Sequence, residues 1–401
     1  MTDSVVIVAA ARTPLGAFQG ELSAFSAAEL GAYAIEGALK QAGMNQQTIH
    51  PAQIEQVLMG CVLPAGQGQA PARQAALGAE LPESVACTTI NKMCGSGMQA
   101  VILAHDQILA GSAQVIAAGG MESMSNAPYL LPKVRAGLRL GHHQMIDHLF
   151  FDGLEDAYAR NEQGGRLLMG VFAEQCAAHF GFSRTQQDEW AIRSTERAQT
   201  AQAAHWFDNE IRPIPQPKGE SITTDEGPRT ARLDKIPHLK PAFQANGTVT
   251  AANASSISDG AAALILMRAS HAQHLGYPPL AKIVAHSVHA QAPAWFTTAP
   301  VGAIQKVLSK TGWSSDEVDL YEINEAFAVV TLAAIHELQL DPARVNVYGG
   351  ACALGHPIGA SGARMIVTLL NALRQRQGRR GIASLCIGGG EATAIALEVY
   401  E

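Results

Sequence analysis

Two segments of the sequence predict helices that are apolar on nearly every face. The first follows Cys94 and includes Val-Ile-Leu-Ala at 101–104, and the second includes Met-Ile-Val-Thr-Leu-Leu at 365–370. A helix without a polar face must be buried on all sides. Each segment begins in a glycine-rich stretch, and the two occupy equivalent places in the first and last thirds of the chain. They therefore predict a central helical layer between two sheets, with the two glycine-rich helix starts close together.

Apolar runs with strand character alternate with helical patterns in both the first and the last third of the chain. This alternation is typical of an α/β fold. The glycine-rich helix start at 95–97, a strand and the glycine pair at 119–120 resemble, in the same order, the helix start at 359–362, a strand and the triple glycine at 388–390. An internal duplication is the simplest explanation. The predicted strands are 5–9, 56–62, 85–90, 115–118, 281–285, 320–323, 382–386 and 392–399. The predicted helices are 27–41, 70–79, 96–110, 301–310, 326–338 and 360–374, and the middle of the chain has a helical part at 172–202.

The middle of the chain breaks this pattern, with stretches rich in proline and charge near 211–217 and 225–241. Such composition is typical of loops at the surface and not of a core. A long insertion of this kind often forms a lid or a substrate-binding element. The predicted units are an N-terminal half at 1–120 and 252–272, an inserted loop domain at 121–251 and a C-terminal half at 273–401.

The composition limits the classes of protein to which the chain can belong. Of 401 residues, 47% are hydrophobic and 16% charged, so the chain can bury a large core. The net charge of −7 has no block structure apart from a basic run at 374–380, which argues against a nucleic-acid or membrane-surface role. Six cysteines without regular spacing favour a reducing compartment over a disulfide framework. Because the N-terminal segment predicts a strand and no stretch has the length of a membrane span, we expect a cytoplasmic protein.

Cys94, His356 and Cys386 each lie among glycines and other small residues, which leave a thiol or an imidazole reachable. Cys94 precedes a helix whose first turn is Gly-Ser-Gly, and the positive end of that helix predicts a lowered thiol pKa. His356 could take the thiol proton or donate to an oxyanion. Cys386 opens the triple glycine, whose N–H groups could hold negative charge while the thiol moves a proton on the carbon next to a thioester. The three residues together indicate covalent catalysis.

These signals have structural alternatives. A cysteine before a helix is often a small buried hydrophobe, and a triple glycine also forms tight turns and phosphate nests. His271 with His274 and His286 with His289 have the local spacing of metal ligands but no accompanying cysteine or carboxylate cluster, so no metal site is predicted. The run Gly-Gln-Gly-Gln-Ala-Pro at 66–71 lacks the final glycine of a dinucleotide-binding fingerprint, which argues against a nucleotide-dependent oxidoreductase.

Four motifs together resemble those of the thiolases, and the likeness extends over essentially the whole chain. They are Asn-Lys-Met-Cys-Gly-Ser-Gly at 91–97, Asn-Glu-Ala-Phe at 324–327, the run at 346–364 that contains Gly-His-Pro-Ile-Gly-Ala-Ser-Gly, and Cys-Ile-Gly-Gly-Gly at 386–390. The resemblance implies the thiolase fold, with two similar halves stacked in five layers as αβαβα and a loop domain inserted in the first half. It also implies a homo-oligomer, with a tetramer favoured over a dimer, and coenzyme A thioesters as substrates without a cofactor or a metal.

The resemblance also implies roles for individual residues. Cys94 would accept the acyl group as a thioester, His356 would activate it, and Cys386 would take the α-proton of a second acetyl-CoA. Asn324 with His356 would form one oxyanion site, and the N–H groups of Cys94 and Gly388 would form the other. The positions that match coenzyme A contacts of the family are Leu154, Met169, Arg229, Ala251, Ser255, Ala326 and Phe327. For the larger apolar side chains among them, ordinary core packing is the alternative.

Two positions depart from the family's pattern. Leu168 stands where thiolases that synthesise acetoacetyl-CoA typically have a histidine, and Glu391 follows the triple glycine where methionine, glutamine or glycine is common. The segment 145–157 nevertheless looks like that of the thiolases that act on acetyl-CoA. We therefore expect reversible condensation of two acetyl-CoA to acetoacetyl-CoA and CoA through acetyl-Cys94. The alternatives are a 3-ketoacyl-CoA thiolase of fatty-acid β-oxidation with longer substrates, and a non-catalytic acyl-CoA-binding protein.

Overall fold

The computed structural model describes residues 3–40, 48–216 and 219–400. Its strands are β1 (Val5–Arg12), β2 (Gly16–Ala17), β3 (Gln56–Gly60), β4 (Ala86–Ile90), β5 (Val115–Ser123), β6 (Tyr129–Leu130), β7 (Ile146–Asp147), β8 (Glu155–Arg160), β9 (Arg166–Leu168), β10 (Ser258–Arg268), β11 (Ala281–Ala290), β12 (Leu320–Ile323), β13 (Arg380–Ile387) and β14 (Glu391–Val399). Its α-helices are α1 (Ala27–Lys40), α2 (Pro71–Gly78), α3 (Ser96–Ala110), α4 (Met169–Phe180), α5 (Arg184–Ala203), α6 (Glu226–Thr230), α7 (Ala269–Leu275), α8 (Ala299–Thr311), α9 (Ala328–Leu338), α10 (Ala351–Leu354) and α11 (Ser361–Gln375). A short π-helix covers Leu149–Leu154, and 3-10 turns connect several of the other elements.

The main strands form one hydrogen-bonded path in the order β12-β13-β14-β11-β1-β10-β5-β3-β4, with β2 beside β10. The path consists of two groups, one from each half of the chain, which meet where β1 pairs with β11. This junction, which we call the seam, is short, because only Val6 with Lys282 and Ile7 with Ala281 are in register. Each group mixes parallel pairs on its outer side with antiparallel pairs near the seam.

Helices α3 and α11 pack against each other between the two strand groups. Helices α1 and α2 cover the outer face of the N-terminal group, while α8 and α9 cover that of the C-terminal group. The predicted αβαβα layering is therefore confirmed. At the helix starts, Gly97 lies against Ala363 and Gly362 lies against Met98 so closely that a Cβ on either glycine would overlap the other helix. The two glycine-rich starts meet, as predicted.

Each half carries the same irregularity in its strand at the seam. Val8 is an extra residue in β1 opposite β10, and Val284 is an extra residue in β11 opposite β14. Because side chains alternate along a strand, such a β-bulge reverses the faces that the following side chains occupy. The shared bulge, together with the repeated order of strands and helices, confirms that the chain consists of two similar halves.

The central strand β10 is missing from the predicted strands. Ten of its eleven residues are buried, and a continuous apolar run does not distinguish a strand from a buried helix by its periodicity. The strands and helices that were predicted are confirmed, most of them with shifted ends, and β5 and β11 each continue five residues beyond their predicted ends. The last residue of the predicted helix 27–41 lies outside the described residues.

The segment between β5 and β10 carries two short ribbons, β6 with β7 and β8 with β9, as well as α4, α5 and α6. The helical part predicted at 172–202 consists of two helices, because Gly181 takes a left-handed conformation (φ 69°) that ends α4, and Ser183 caps the start of α5. The expected domain limit at residue 120 falls inside β5, which continues to Ser123; the division into domains otherwise stays a prediction. Within the three described ranges, no helix combines the length and apolarity that a membrane span requires.

Candidate active site

A cavity of about 630 Å³ opens between the two halves and the segment that joins β5 to β10. Its lining includes Cys94 from the N-terminal half and His356, Cys386 and Gly388 from the C-terminal half. Asn324 is buried directly beside His356. The structure thus brings together all five residues that were predicted to carry the chemistry.

Cys94 lies in a tight turn between β4 and α3. Met93, directly before it, has a φ of 47°, a left-handed conformation that is uncommon for a residue with a side chain. The Ser96 hydroxyl holds this turn, since it donates to the Met93 carbonyl (2.6 Å) and accepts from the Lys92 N–H (2.8 Å). In the cavity, the sulfur of Cys94 faces its own N–H and that of Gly388. Conformations of this kind persist where the surroundings fix them, often at functional sites.

The surroundings of Cys94 oppose ionisation of its thiol. Burial raises the pKa of Cys94 to about 11, and the two N–H groups offset only part of this effect. The predicted lowering of the pKa by the helix start is therefore wrong for the protein without substrate, because desolvation outweighs the stabilisation of a thiolate by these N–H groups. Cys94 is a neutral thiol that must lose its proton during the reaction instead of before it.

His356 is held in one tautomer by Ser361. Its Nδ1 lies 2.6 Å from the Ser361 hydroxyl, which donates in turn to the Pro357 carbonyl at 2.9 Å. Because the hydroxyl proton goes to that carbonyl, Ser361 accepts from Nδ1–H, and Nε2 is the unprotonated nitrogen. Burial, with Arg364 nearby, lowers the pKa of His356 to about 3, so the ring is neutral. A neutral imidazole with an unprotonated Nε2 can accept the proton of a thiol.

Asn324 follows β12, and its backbone N–H donates to the Ser384 carbonyl of β13 at 3.0 Å. Its side-chain nitrogen is almost equidistant from the two ring nitrogens of His356, at 3.4 Å from Nδ1 and 3.5 Å from Nε2. The amide therefore lies against the imidazole instead of donating along one lone pair. Its oxygen is buried without a hydrogen-bond partner among the described residues. Asn324 can thus offer polar atoms to a ligand or a water molecule beside His356.

Cys386 lies near the end of β13 with 1% of its surface exposed. Burial, and then the nearby Cys94 sulfur, raise the pKa of Cys386 well above the usual range of a thiol. The chain then turns through Gly389 (φ 95°) and Gly390 (φ 86°), whose conformations disfavour any side chain. A thiol with so high a pKa is a strong base once it is deprotonated, which abstraction of a proton from carbon requires.

Glu122, at the end of β5, is a buried carboxylate that sequence analysis missed. It accepts hydrogen bonds from the N–H groups of Val62 (2.9 Å) and Leu63 (3.2 Å) in the N-terminal half and from that of Gly359 (2.9 Å), close to His356. Burial raises the pKa of Glu122 to about 7, although the three donors oppose this effect. Glu122 thereby fixes the loop of His356 against the N-terminal half. Its one signal in the sequence is that it interrupts the apolar run of β5.

The two positions that depart from the family's pattern lie at the cavity or at its edge. Leu168 lines the cavity directly before α4. Glu391 begins β14 and forms an ion pair with Lys92, two residues before Cys94. Sequence analysis left Glu391 without a role because its partner is distant along the chain.

Six of the seven residues predicted to contact coenzyme A line the cavity, namely Leu154, Met169, Ala251, Ser255, Ala326 and Phe327. Phe327 packs edge to face against Phe243, with ring centroids 6.0 Å apart, and the two rings form part of an apolar wall. Arg229 does not line the cavity, because it lies on α6 and donates to Glu21 at 2.8 Å. A contact of Arg229 with the nucleotide stays a prediction.

Comparison with known proteins agrees with this arrangement. Residues 5–270 match the family model "Thiolase, N-terminal domain", and residues 277–399 match "Thiolase, C-terminal domain". The chain is 47% identical to the acetyl-CoA acetyltransferase of Schizosaccharomyces pombe over 98% of both chains, and 48% identical to that of Cupriavidus necator over 99% of this chain and 100% of the relative. Among solved structures, it is similar to a thiolase of Ascaris suum in complex with coenzyme A (TM-score 0.92, 40% identity, 99% and 100% of the two chains) and to the Bacillus anthracis acetyl-CoA acetyltransferase (TM-score 0.93, 40% identity, 99% of each chain). Matches of this extent establish that the chain belongs to the thiolase family.

Proposed function

We propose that this thiolase is an acetyl-CoA C-acetyltransferase, which joins two acetyl-CoA molecules into acetoacetyl-CoA and CoA and catalyses the reverse thiolysis. Relatives with this name, similar over nearly their full length, support the proposal. The observation that carries it is the position of the Cys94 sulfur, which faces the Gly388 N–H and lies close enough to Cys386 to raise the pKa of that second thiol. One thiol can then hold an acyl group while the other acts on the carbon that attacks it.

In the first half of the reaction, the proton of Cys94 moves to Nε2 of His356 as the sulfur attacks the thioester carbon of acetyl-CoA. The N–H groups of Cys94 and Gly388 stabilise the negative charge that develops on the thioester oxygen. The bond between that carbon and the CoA sulfur then breaks, and CoA leaves with the proton of Cys386. Acetyl-Cys94 remains, with a Cys386 thiolate and a protonated His356 in the same cavity, where their opposite charges stabilise each other.

In the second half, the Cys386 thiolate takes an α-proton from a second acetyl-CoA, and Asn324 and His356 stabilise the resulting enolate. The enolate carbon attacks the acetyl group on Cys94, the bond to the Cys94 sulfur breaks, and that sulfur recovers its proton from His356. Acetoacetyl-CoA is released and both thiols are restored. No electrons enter or leave these steps, so the reaction as written uses coenzyme A thioesters alone.

We assign the pantetheine arm of coenzyme A to the six predicted contact residues that line the cavity. Most of their side chains are apolar, which suits a narrow site that leads to a buried thiol. The Ser255 hydroxyl is the polar group among them that can meet an amide of pantetheine. We place the adenine nucleotide toward the outside of the fold, where Arg229 could reach it if its ion pair with Glu21 opens.

The proposed roles of the two thiols are tested by labelling. After incubation with acetyl-CoA and rapid digestion, mass spectrometry should find the acetyl group on Cys94. Cys386→Ser should acquire the same label while it loses most of its turnover. Cys87→Ser, a half-buried cysteine of β4 outside the cavity lining, is the control and should behave like the wild-type enzyme. A label on Cys386 would reverse the assignment, and the absence of any label would favour a non-catalytic acyl-CoA-binding protein.

Chain length separates the proposal from a second candidate, a 3-ketoacyl-CoA thiolase for longer substrates. Leu168 keeps this candidate open because it lines the cavity where a histidine is typical of strict acetoacetyl-CoA synthesis. In the thiolysis direction, we expect kcat/KM to be highest for acetoacetyl-CoA. A preference of about tenfold or more for a medium-chain 3-ketoacyl-CoA would replace the proposal by the second candidate.

We also propose that the enzyme is a cytoplasmic homo-oligomer, a tetramer in preference to a dimer, and that it serves fatty-acid metabolism. Support for oligomerisation comes from large apolar side chains that are exposed between β5 and α4, namely Tyr129, Leu131, Leu138, Leu140 and Met145. Exposed apolar clusters of this kind are typical of contact surfaces between chains. Light scattering on the eluting protein should give four chain masses, and Leu140→Asp should reduce that number. A monomeric wild type would contradict the proposal.

A further inference from the structure

Outside the active-site cavity, three side chains that can ligate a metal converge from both halves of the fold. His105 and Asp106 lie in α3, and His286 lies in β11. Asp106 Oδ1 is 3.0 Å from Nδ1 of His105 and 2.9 Å from Nε2 of His286. The three ligand atoms all lie within 4.8 Å of one another. The two imidazole rings are nearly perpendicular, with centroids 5.0 Å apart, and each directs a nitrogen at the same carboxylate oxygen.

The bulge at Val284 puts His286 on the face of β11 that meets α3. Ile283, before the bulge, packs in the central core with residues of α3. Ser287, next to His286, points the opposite way and donates to the Ala303 carbonyl of α8 at 2.7 Å. If the same residues alternated regularly, without a bulge, Ser287 would point toward α3 and His286 toward α8. The bulge in the backbone of β11 therefore brings His286 to His105 and Asp106.

The histidine pairs that have metal-like spacing in the sequence are not the ones that meet. His289 is hydrogen-bonded to Gln291 at 3.0 Å, whereas His286 is paired across the fold with Asp106. His271 and His274 share α7 and do not contribute to the cluster. The carboxylate was missed because it lies 180 positions from His286 along the chain.

We propose that His105, Asp106 and His286 form a binding site for a divalent transition-metal ion, for which Zn²⁺ is the best match. Tetrahedral ligands that bind Zn²⁺ at about 2.0–2.1 Å lie roughly 3.3 Å from one another. The two nitrogen–oxygen distances therefore need to open by only a few tenths of an ångström. Two imidazoles and one carboxylate suit Zn²⁺ better than Mg²⁺ or Ca²⁺, which prefer oxygen ligands alone.

The surroundings of the cluster suit an ion that keeps a water ligand. The side chains of His105 and His286 are 11% and 19% exposed, whereas that of Asp106 is 51% exposed, so solvent reaches the carboxylate side. A histidine binds a metal ion through a ring nitrogen that carries no proton. Each neutral ring keeps its one proton on the nitrogen that does not face the ion, and the ion takes the place of two N–H···O hydrogen bonds.

The ion joins a helix of the N-terminal half to a strand of the C-terminal half. His105 is about 14 Å along α3 from the helix start beside Cys94, given the rise of an α-helix. Binding of the ion should therefore stabilise the packing of the two halves and should not affect acetyl transfer. The proposal of this metal site does not depend on the proposed function. A ligand that binds only the folded chain raises its stability in proportion to the logarithm of its free concentration.

The test uses the full-length protein after removal of metals with a chelator. Equilibrium dialysis against ZnCl₂ followed by elemental analysis should show one more equivalent of Zn²⁺ in the wild type than in His286→Gln. Zn²⁺ should raise the midpoint of thermal unfolding of the wild type by about 2 °C or more, and that of His286→Gln by less. The matched control is His274→Gln, which changes an exposed histidine of α7 and should keep both the ion and the shift.

Cobalt substitution distinguishes this cluster from the cysteines of the active site. In the difference spectrum between the wild type and His286→Gln, Co²⁺ should show the weak visible bands of nitrogen and oxygen ligation without thiolate charge transfer. Asp106→Asn, nearly identical in shape and half exposed, should repeat the loss if His286→Gln fails to fold. Equal zinc content in the wild type and both variants, no bound zinc at all, or a thiolate band in the difference spectrum would overturn the proposal.

Discussion

Lys92 forms an ion pair with Glu391, so the loop of Cys94 is tied to the strand that follows the triple glycine. The two loops are joined a second time deeper in the cavity, where the Gly388 N–H faces the Cys94 sulfur. The ion pair is only partly exposed, with 22% of the Lys92 side chain and 36% of the Glu391 side chain accessible. A carboxylate that departs from the family's pattern therefore has a partner of opposite charge next to the nucleophile.

We expect this ion pair to maintain the position of the Gly388 N–H relative to the sulfur. Glu391→Gln and Lys92→Met should each lower kcat/KM for acetyl transfer about threefold to tenfold, because a partly exposed pair contributes roughly 1 kcal/mol. The double variant should lose no more than either single variant. Steady-state kinetics at low and high salt would check this, since salt screens the pair and should bring the wild type closer to the variants.

Lys282→Met is the matched control, because it removes an ion pair with Glu398 away from the cavity lining. This variant should keep the kcat/KM of the wild type. If the losses of Glu391→Gln and Lys92→Met multiply in the double variant, the two side chains act separately and the expectation fails.

Ser361 is expected to be a positioning residue for His356. Ser361→Ala removes the acceptor of Nδ1–H (2.6 Å), so the imidazole loses its fixed tautomer, and kcat should fall roughly tenfold to hundredfold. KM should change little, and Ser361→Thr, which restores a hydroxyl, should recover much of the loss. Ser287→Ala, a buried serine of β11 outside the cavity lining, is the control. Equal losses in Ser361→Ala and Ser361→Thr would mean that packing and not the hydrogen bond is responsible.

The rate of Cys94 acetylation should change little between about pH 7.5 and about pH 5. Burial lowers the pKa of His356 to about 3, so the ring stays in its basic, neutral form throughout this range. A histidine with an ordinary pKa near 6.5 would instead lose roughly 30-fold at pH 5. Rapid-quench measurements of acetyl-enzyme formation would check this. Glu122 has a pKa of about 7 and could itself make the rate depend on pH in this range, so Glu122→Gln should be measured in parallel. A fall in the acetylation rate below about pH 6.5 in both the wild type and Glu122→Gln would contradict the low pKa of His356.

The buried ion cluster of Arg12 is expected to dominate stability in the N-terminal half. Arg12 is fully buried and donates to Glu210 at 2.5 Å and to Asp225 at 2.7 Å. Arg12→Met should lower the free energy of unfolding by about 3–5 kcal/mol, because two buried carboxylates lose their cation. Arg229→Met, which removes an exposed pair with Glu21, should cost less than about 1 kcal/mol. Urea unfolding curves would compare them, and similar losses would contradict the expectation.

The layers of the fold could be predicted from the sequence because two helices without a polar face allow few arrangements. Their glycine-rich starts meet where Gly97 and Gly362 permit close contact. Strand β10 could not be predicted, since ten of its eleven residues are buried and its apolar run has no period. The bulges at Val8 and Val284 leave no mark in a single sequence, because they are defined by pairing with distant strands.

The candidate site could be predicted where its signals are local. Cys94, His356 and Cys386 lie in short motifs of small residues, and the structure brings them to one cavity. The pKa of Cys94 was predicted in the wrong direction, because a helix start is visible in the sequence whereas desolvation depends on the whole fold. The partners of Glu391 and of His286 could not be predicted for the same reason, since both are set by contacts between the two halves.

The shortness of the seam has a consequence for how activity arises during biosynthesis. Cys94 comes from the first half of the chain, whereas His356, Asn324 and Cys386 come from the second, and only two residue pairs join β1 to β11. A nascent chain with only its first half folded carries the acyl acceptor but lacks the imidazole, the amide and the second thiol of the active site. The catalytic residues therefore come together only when α11 packs against α3. We expect a partly synthesised enzyme not to consume acyl-CoA.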